Sequence, residues 1–242
     1  MVISAISSTV QSSSYQNPNY AQLLQDLTAL RVDNQLLAKY LSQTPPPLDA
    51  IQKLLDAMQV LAAKIQGDAN GDTAITPAIG SLMAAIDNAL ALLQNGDLAG
   101  ISILMENGNF QDNIGNLIYF CTYPATVPPI QPANKGDMAY QLSLLENYLA
   151  QYKYDLAHHL YDQADQIYGY VLTAAGDLMN DGLYDPAIAP VLGSLIGTIY
   201  AIRACMLNGD YAACAYLLDH GALPQDIEQI TKFLLPQYTT RD

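Results

Sequence analysis

Residues 79–117 read IGSLMAAIDNALALLQNGDLAGISILMENGNFQDNIGNL, and residues 192–230 read LGSLIGTIYAIRACMLNGDYAACAYLLDHGALPQDIEQI. The two stretches align without a gap at an offset of 113 (193 − 80), which pairs Gly80 with Gly193, Ser81 with Ser194, Asn95-Gly96-Asp97 with Asn208-Gly209-Asp210, and Gly108 with Gly221. Most remaining pairs are both apolar. The chain therefore reads as a tandem duplication. In each stretch the apolar residues recur at helical rather than alternating spacing, so the Asn-Gly-Asp turn predicts an αα-hairpin and not a β-hairpin.

Working outward, the segment before the first stretch carries two leucine-rich stripes. Leu23, Leu27, Leu30, Leu37 and Leu41 predict a first helix that starts at an Asn17-Pro18 cap and runs to about Ser42. Pro45-Pro46-Pro47 stops it, and Leu48, Ile51, Leu55, Met58 and Ala62 predict a second helix to about Ile65. A polar loop with Thr76 as cap leads into the third, which ends at Gln94. Asp97 caps the fourth, and a fifth spans about Phe110–Phe120.

The stretch 121–136, with prolines at 124, 128, 129 and 132, predicts a linker, after which Asp137 is expected to cap the second copy. There, Leu30, Leu37 and Leu41 match Leu149, Leu156 and Leu160 at an offset of 119. That would remove the proline break and place a kink near Tyr161–Ala164. The last helices are expected at about 190–207, 210–219 and 224–235. The expected fold is all-α, about ten helices from a duplicated five-helix unit. Residues 1–17 form a Ser-rich arm, 18–120 and 137–236 the two copies, packed together as one domain, and 237–242 a tail.

Composition narrows the function classes. The chain has 242 residues, 51% of them hydrophobic, and a net charge of −14 from 9 basic and 23 acidic residues. That core needs no staples, and the charge disfavours a grip on nucleic-acid phosphates or an anionic membrane surface. No apolar run suggests a membrane span, and the three cysteines, Cys121, Cys205 and Cys214, have no metal spacing. The start, MVISAISSTVQSSSYQNPNY, has no lysine or arginine and no apolar core, so a Sec signal peptide is not expected. The chain is therefore expected to be cytoplasmic or exported without a Sec signal, and the start resembles the uncharged Ser-rich starts of type III secreted bacterial proteins, which implies an export signal.

Candidate sites are few. Asp68, Asn70 and Asp72 resemble the opening of an EF-hand or dockerin calcium loop, but Thr73 stands where glycine is needed and Ile79 where a bidentate carboxylate belongs. The matching stretch Asp181–Asp185 carries Leu183 in place of Asn70, so the loop is expected to be structural, with no metal or cofactor. His158-His159 diverge on a helix and cannot share a ligand. Cys205 and Cys214 lie almost symmetrically about the Asn208-Gly209-Asp210 turn, close enough in the hairpin to approach each other, but Leu92 and Ile101 stand there in the first copy, so the cysteines are expected to be small core residues. No Ser-His-Asp or Cys-His-Asp group can be placed, and the expectation is a protein without catalytic activity.

Tyrosine is the asymmetry between the copies: residues 140–216 hold eleven and residues 20–117 hold two. Tyr148, Tyr152, Tyr154, Tyr161, Tyr168 and Tyr170 are the candidate docking face, because tyrosine joins a large apolar ring to a polar tip. The leading expectation is a helical adaptor, scaffold or assembly subunit that binds a protein partner or itself. The alternatives are a secreted protein or acidic secretion chaperone, and a small-ligand or calcium binder.

Overall fold

The computed structural model of the chain describes residues 19–69, 71–107, 110–123 and 129–235. Among these the secondary structure is helical, with no strand. The helices are α1 (Tyr20–Leu41), α2 (Leu48–Asp68), α3 (Thr76–Gln94), α4 (Leu98–Asn107), α5 (Phe110–Thr122), α6 (Lys135–Ala157), α7 (Tyr161–Gly182), α8 (Ala189–Leu207), α9 (Tyr211–His220) and α10 (Leu223–Leu234). The expected arm and tail lie outside the described residues, as do Asn17, Pro18, Asn70 and Gly108.

Helix starts follow local hydrogen bonding, and several differ from the sequence expectation. Asn19 caps α1 by accepting from the Gln22 N–H, and Asn134 caps α6 by accepting from the Asp137 N–H. Asp137 thus sits inside the first turn, where its charge complements the helix N-terminus. Thr76 is not a cap either: its hydroxyl donates to the Asp72 carbonyl, one turn back. Residue type alone does not single out the cap, because each of these segments offers several acceptors within one turn.

Three helix ends close in the same way. At α3, Gly96 N–H reaches Leu93 O and Asp97 N–H reaches Leu92 O; at α8, Gly209 reaches Met206 and Asp210 reaches Cys205. At α6, His159 reaches Leu156 and Leu160 reaches Asp155. These paired bonds define a Schellman turn, which needs a left-handed residue just past the cap. Gly96 and Gly209 supply it at φ of 76° and 75°, and His159 does so at φ 59° with a Cβ in the way. The chain therefore breaks at His158–Leu160, ahead of the expected Tyr161–Ala164, and the two histidines sit at this corner rather than side by side on a helix. Past the turns, Asp97 accepts from the Gly100 N–H and Asp210 from the Ala213 N–H.

The core centres on α3 and α8, whose mutual contact is the most extensive between any two helices. Two glycines permit it. A Cβ on Gly80 would stand 2.0 Å from the Pro190 carbonyl oxygen, and one on Gly193 would stand 2.0 Å from the Pro77 carbonyl oxygen. The crossing is reciprocal. Buried Asn88 pins it further, donating to the Thr198 hydroxyl at 3.2 Å and accepting from the Ala222 N–H at 2.9 Å. Both helices are long and apolar enough, by length and composition, to cross a membrane, contrary to the reading of the linear sequence. Most of each is buried against the rest of the protein, as core helices are.

The outer helices repeat the same arrangement: α1 packs on α2, α4 and α5, and α6 packs on α7, α9 and α10. Their register corrects the offset of 119. The caps Asn19 and Asn134 are 115 apart (134 − 19), and at that spacing buried Leu23, Leu27, Leu30 and Leu37 pair with buried Met138, Leu142, Leu145 and Tyr152. The error is four residues, one helical turn, because a leucine stripe matches itself after a turn. The α6–α7 connection, residues 158–160, is three residues shorter than the α1–α2 one, residues 42–47, not six. Residues 129–134 are tied to the α7–α8 corner: Gln131 N–H bonds Tyr184 O, Asn134 N–H bonds Asp181 O, and Ala133 N–H bonds the Asp185 carboxylate.

Candidate functional site

The tyrosines divide by location. Tyr152 and Tyr168 are interior residues, 1% and 5% exposed, so they leave the docking face. Tyr152 donates to Met206 Sδ at 3.2 Å and Tyr168 to the Ile199 carbonyl at 3.1 Å, and burial pushes both phenols far above their usual range. The reason is register: Tyr152 takes the core position that Leu37 takes in α1, and Tyr168 that of Leu55 in α2. Tyr161 is half-buried and stacks on Tyr211 at 3.7 Å between ring centroids.

The other three reach the surface. Tyr148 and Tyr170 stack across α6 and α7 at 5.4 Å, with Tyr170 57% exposed. Tyr154, 53% exposed, stacks on His158 at 3.9 Å. Tyr140, absent from the sequence candidates, joins this outer face at 63% exposed.

The calcium-like loop is differently built from its sequence likeness. Asp68 is the last residue of α2 and pairs with Lys64, because α2 runs a turn beyond Ile65. Asp72 is buried, with one carboxylate oxygen accepting from the Ala74 N–H at 2.9 Å and the other from the Tyr20 hydroxyl at 2.8 Å. Asp185 does the same with the N–H groups of Ala187 and Ala133, so both carboxylates fasten a helix start to a corner. Cys205 and Cys214 are buried free thiols. Burial pushes the Cys214 thiol up to about 12 and Cys205 higher still, which leaves both without thiolate character near neutrality.

A site that residue-by-residue reading missed lies on either side of the α3–α8 crossing. One cleft, of about 550 Å³, is lined by α3 and α5 on one wall and by the α7 end and α8 on the other, with Phe120, Tyr184 and Tyr200 as its rings. The other, of about 220 Å³, is lined by α2, α3, α8 and α10. Their linings correspond at the 113-residue spacing: Pro77 with Pro190, Ser81 with Ser194, Asn113 with Asp226, Gly193 with Gly80, Ile196 with Met83, and Tyr200 with Asp87.

The chemistry differs sharply between them. In the smaller cleft Ser194 donates to Asp226 at 2.8 Å, and burial pushes the Asp226 carboxyl up to about 8, against the pull of that bond and with a further push from Asp87. Asp87 is raised by burial as well, while the bond from Gln59 opposes it. In the larger cleft Asn113 donates to Ser81 at 2.8 Å, and none of the lining residues is charged. The signal was present in the sequence: Ser81 and Ser194 match, and the residues 32 positions on do not.

Comparison with protein-family models, with curated proteins and with solved structures returned no match.

Proposed function

We propose that the chain is a non-catalytic helical interaction protein, a duplicated five-helix unit that docks a protein partner through the outer face of α6 and α7. The observation that carries the reading is the exposed tyrosine set on that face, Tyr140, Tyr154 and Tyr170, with the Tyr148–Tyr170 stack between the helices. Rings held by stacking have little rotamer freedom left to lose on binding, so their apolar area is available for a partner at small entropic cost. The duplication itself is supported by the reciprocal glycine contacts, the matched turns and the equivalent bonds Asn113–Ser81 and Ser194–Asp226.

The test is affinity capture from native lysate with the wild-type chain and a Tyr148→Ala, Tyr154→Ala, Tyr170→Ala triple variant, with thermal unfolding of both. The changes at exposed Tyr154 and Tyr170 shift stability by about 0.5 kcal/mol each, and that at half-buried Tyr148, which loses the ring stack, by about 1 kcal/mol. The reading predicts a folded variant that loses the retained partner. An unchanged set of retained proteins would contradict it.

A further inference from the structure

The larger cleft has a property the fold does not require. Its sister, built on equivalent positions across the same crossing, is lined by Gln66, Asp87, Gln225, Asp226 and Gln229. The architecture therefore tolerates a polar, charged lining. In the larger cleft the matching or adjacent places hold Met179, Tyr200 and Phe120, and no charged residue lines it in a chain of net charge −14. Its volume of about 550 Å³ lies within the span typical of small-molecule pockets, and an apolar hollow that size exposes surface that burial would stabilise.

The polar groups in its wall specify the ligand further. Ser81, 7% exposed, accepts from Asn113, and that bond uses one of the three hydrogens the pair can donate. Among the described residues neither the Ser81 hydroxyl hydrogen nor the second Asn113 amide hydrogen has an acceptor. Interchanging the amide oxygen and nitrogen leaves the same surplus of donors. In the sister cleft the Ser194 hydrogen is spent on Asp226, so the matching serine has no hydrogen left to offer. A hydrogen-bond donor left open in an apolar wall calls for an acceptor oxygen, and the uncharged lining calls for a neutral one.

We propose that the cleft between Phe120, Tyr184 and Tyr200 binds an uncharged, largely apolar small molecule that presents a carbonyl or hydroxyl oxygen to the Ser81–Asn113 pair. Met179, Ile196 and the three rings take its apolar body.

The full-length chain is titrated with Nile red, a neutral dye with a ring carbonyl, and with the hydrocarbon pyrene, following fluorescence. The proposal expects saturable uptake of one Nile red per chain. Ile196→Trp, which fills the cleft, should weaken it at least about tenfold, while Met83→Trp, the matching change in the sister cleft, should leave it within about threefold. The double variant Ser81→Ala, Asn113→Leu should weaken Nile red about tenfold and pyrene hardly at all, and it keeps the test alive if the tryptophan variant does not fold. Absence of saturable uptake, whether the cleft is closed to ligands, filled by another part of the chain or covered by a second copy, overturns the proposal. So does equal weakening by Met83→Trp and Ile196→Trp, or of both dyes in the double variant.

Discussion

On one side of the α3–α8 crossing a serine donates a hydrogen bond to a buried carboxyl group; on the other the matching serine accepts one from a carboxamide. Backbone, glycine contacts and serine position are common to both sides. Two changes, Asp226 against Asn113 and Asp87 against Tyr200, separate an acidic cleft from a neutral one. The common parts are those that packing demands, because Gly80 and Gly193 each leave no room for a methyl group beside a proline carbonyl. The side chains around them face a hollow, and nothing in the packing fixes their charge.

This comparison can be broken first at what is shared. Gly80→Ala and Gly193→Ala should each destabilise the protein by about 3 kcal/mol, at the upper end of overpacking, since the obstacle is backbone and cannot rotate away. Urea unfolding of the two variants should give losses of similar size. A loss under about 1 kcal/mol at either site would mean that the crossing is not reciprocal in energy.

A smaller test uses the three Schellman turns. Gly96→Ala and Gly209→Ala should each lose about 1 kcal/mol, because alanine resists the left-handed backbone, whereas His159→Gly should gain about 0.5–1 kcal/mol at the same position of the same turn. Thermal unfolding reads all three. A destabilising His159→Gly would show that the edge-to-face contact of His159 with Tyr161 and its bond to the Tyr161 hydroxyl outweigh the backbone strain.

The all-helical architecture was legible because its signals are local. Leu48 and Gln94, given as helix bounds by the proline before one and the turn residues after the other, are bounds in the structure. The offset between α1 and α6 was not legible, because every leucine in a stripe resembles its neighbour a turn away; the caps at Asn19 and Asn134 and the buried set resolve it. The tyrosines were legible as a bias but not as a surface, since Tyr152 and Tyr168 differ from Tyr154 and Tyr170 only in which side of the helix they occupy. The paired clefts were legible only as the mismatch of Asn113 with Asp226, not as places in the fold. Each is assembled from at least three helices far apart in the chain, and no short motif joins Ser81 to Tyr184 or Ser194 to Asp87.

The contrast between the clefts turns most directly on Asp226. Its folded carboxyl titrates near pH 8, above the ordinary carboxylate value of 3.8, so between these limits the folded state holds a proton that the unfolded chain has released. The group's contribution to stability is therefore complete below about pH 4 and is lost as the pH rises to about 8. Asp226→Asn, which gives this cleft the residue of its sister, should remove that loss. In urea unfolding from pH 5 to pH 8, the account predicts that the wild type weakens with pH relative to the variant, which ends more stable by at least about 1 kcal/mol at pH 8. Parallel profiles for the two proteins would contradict it.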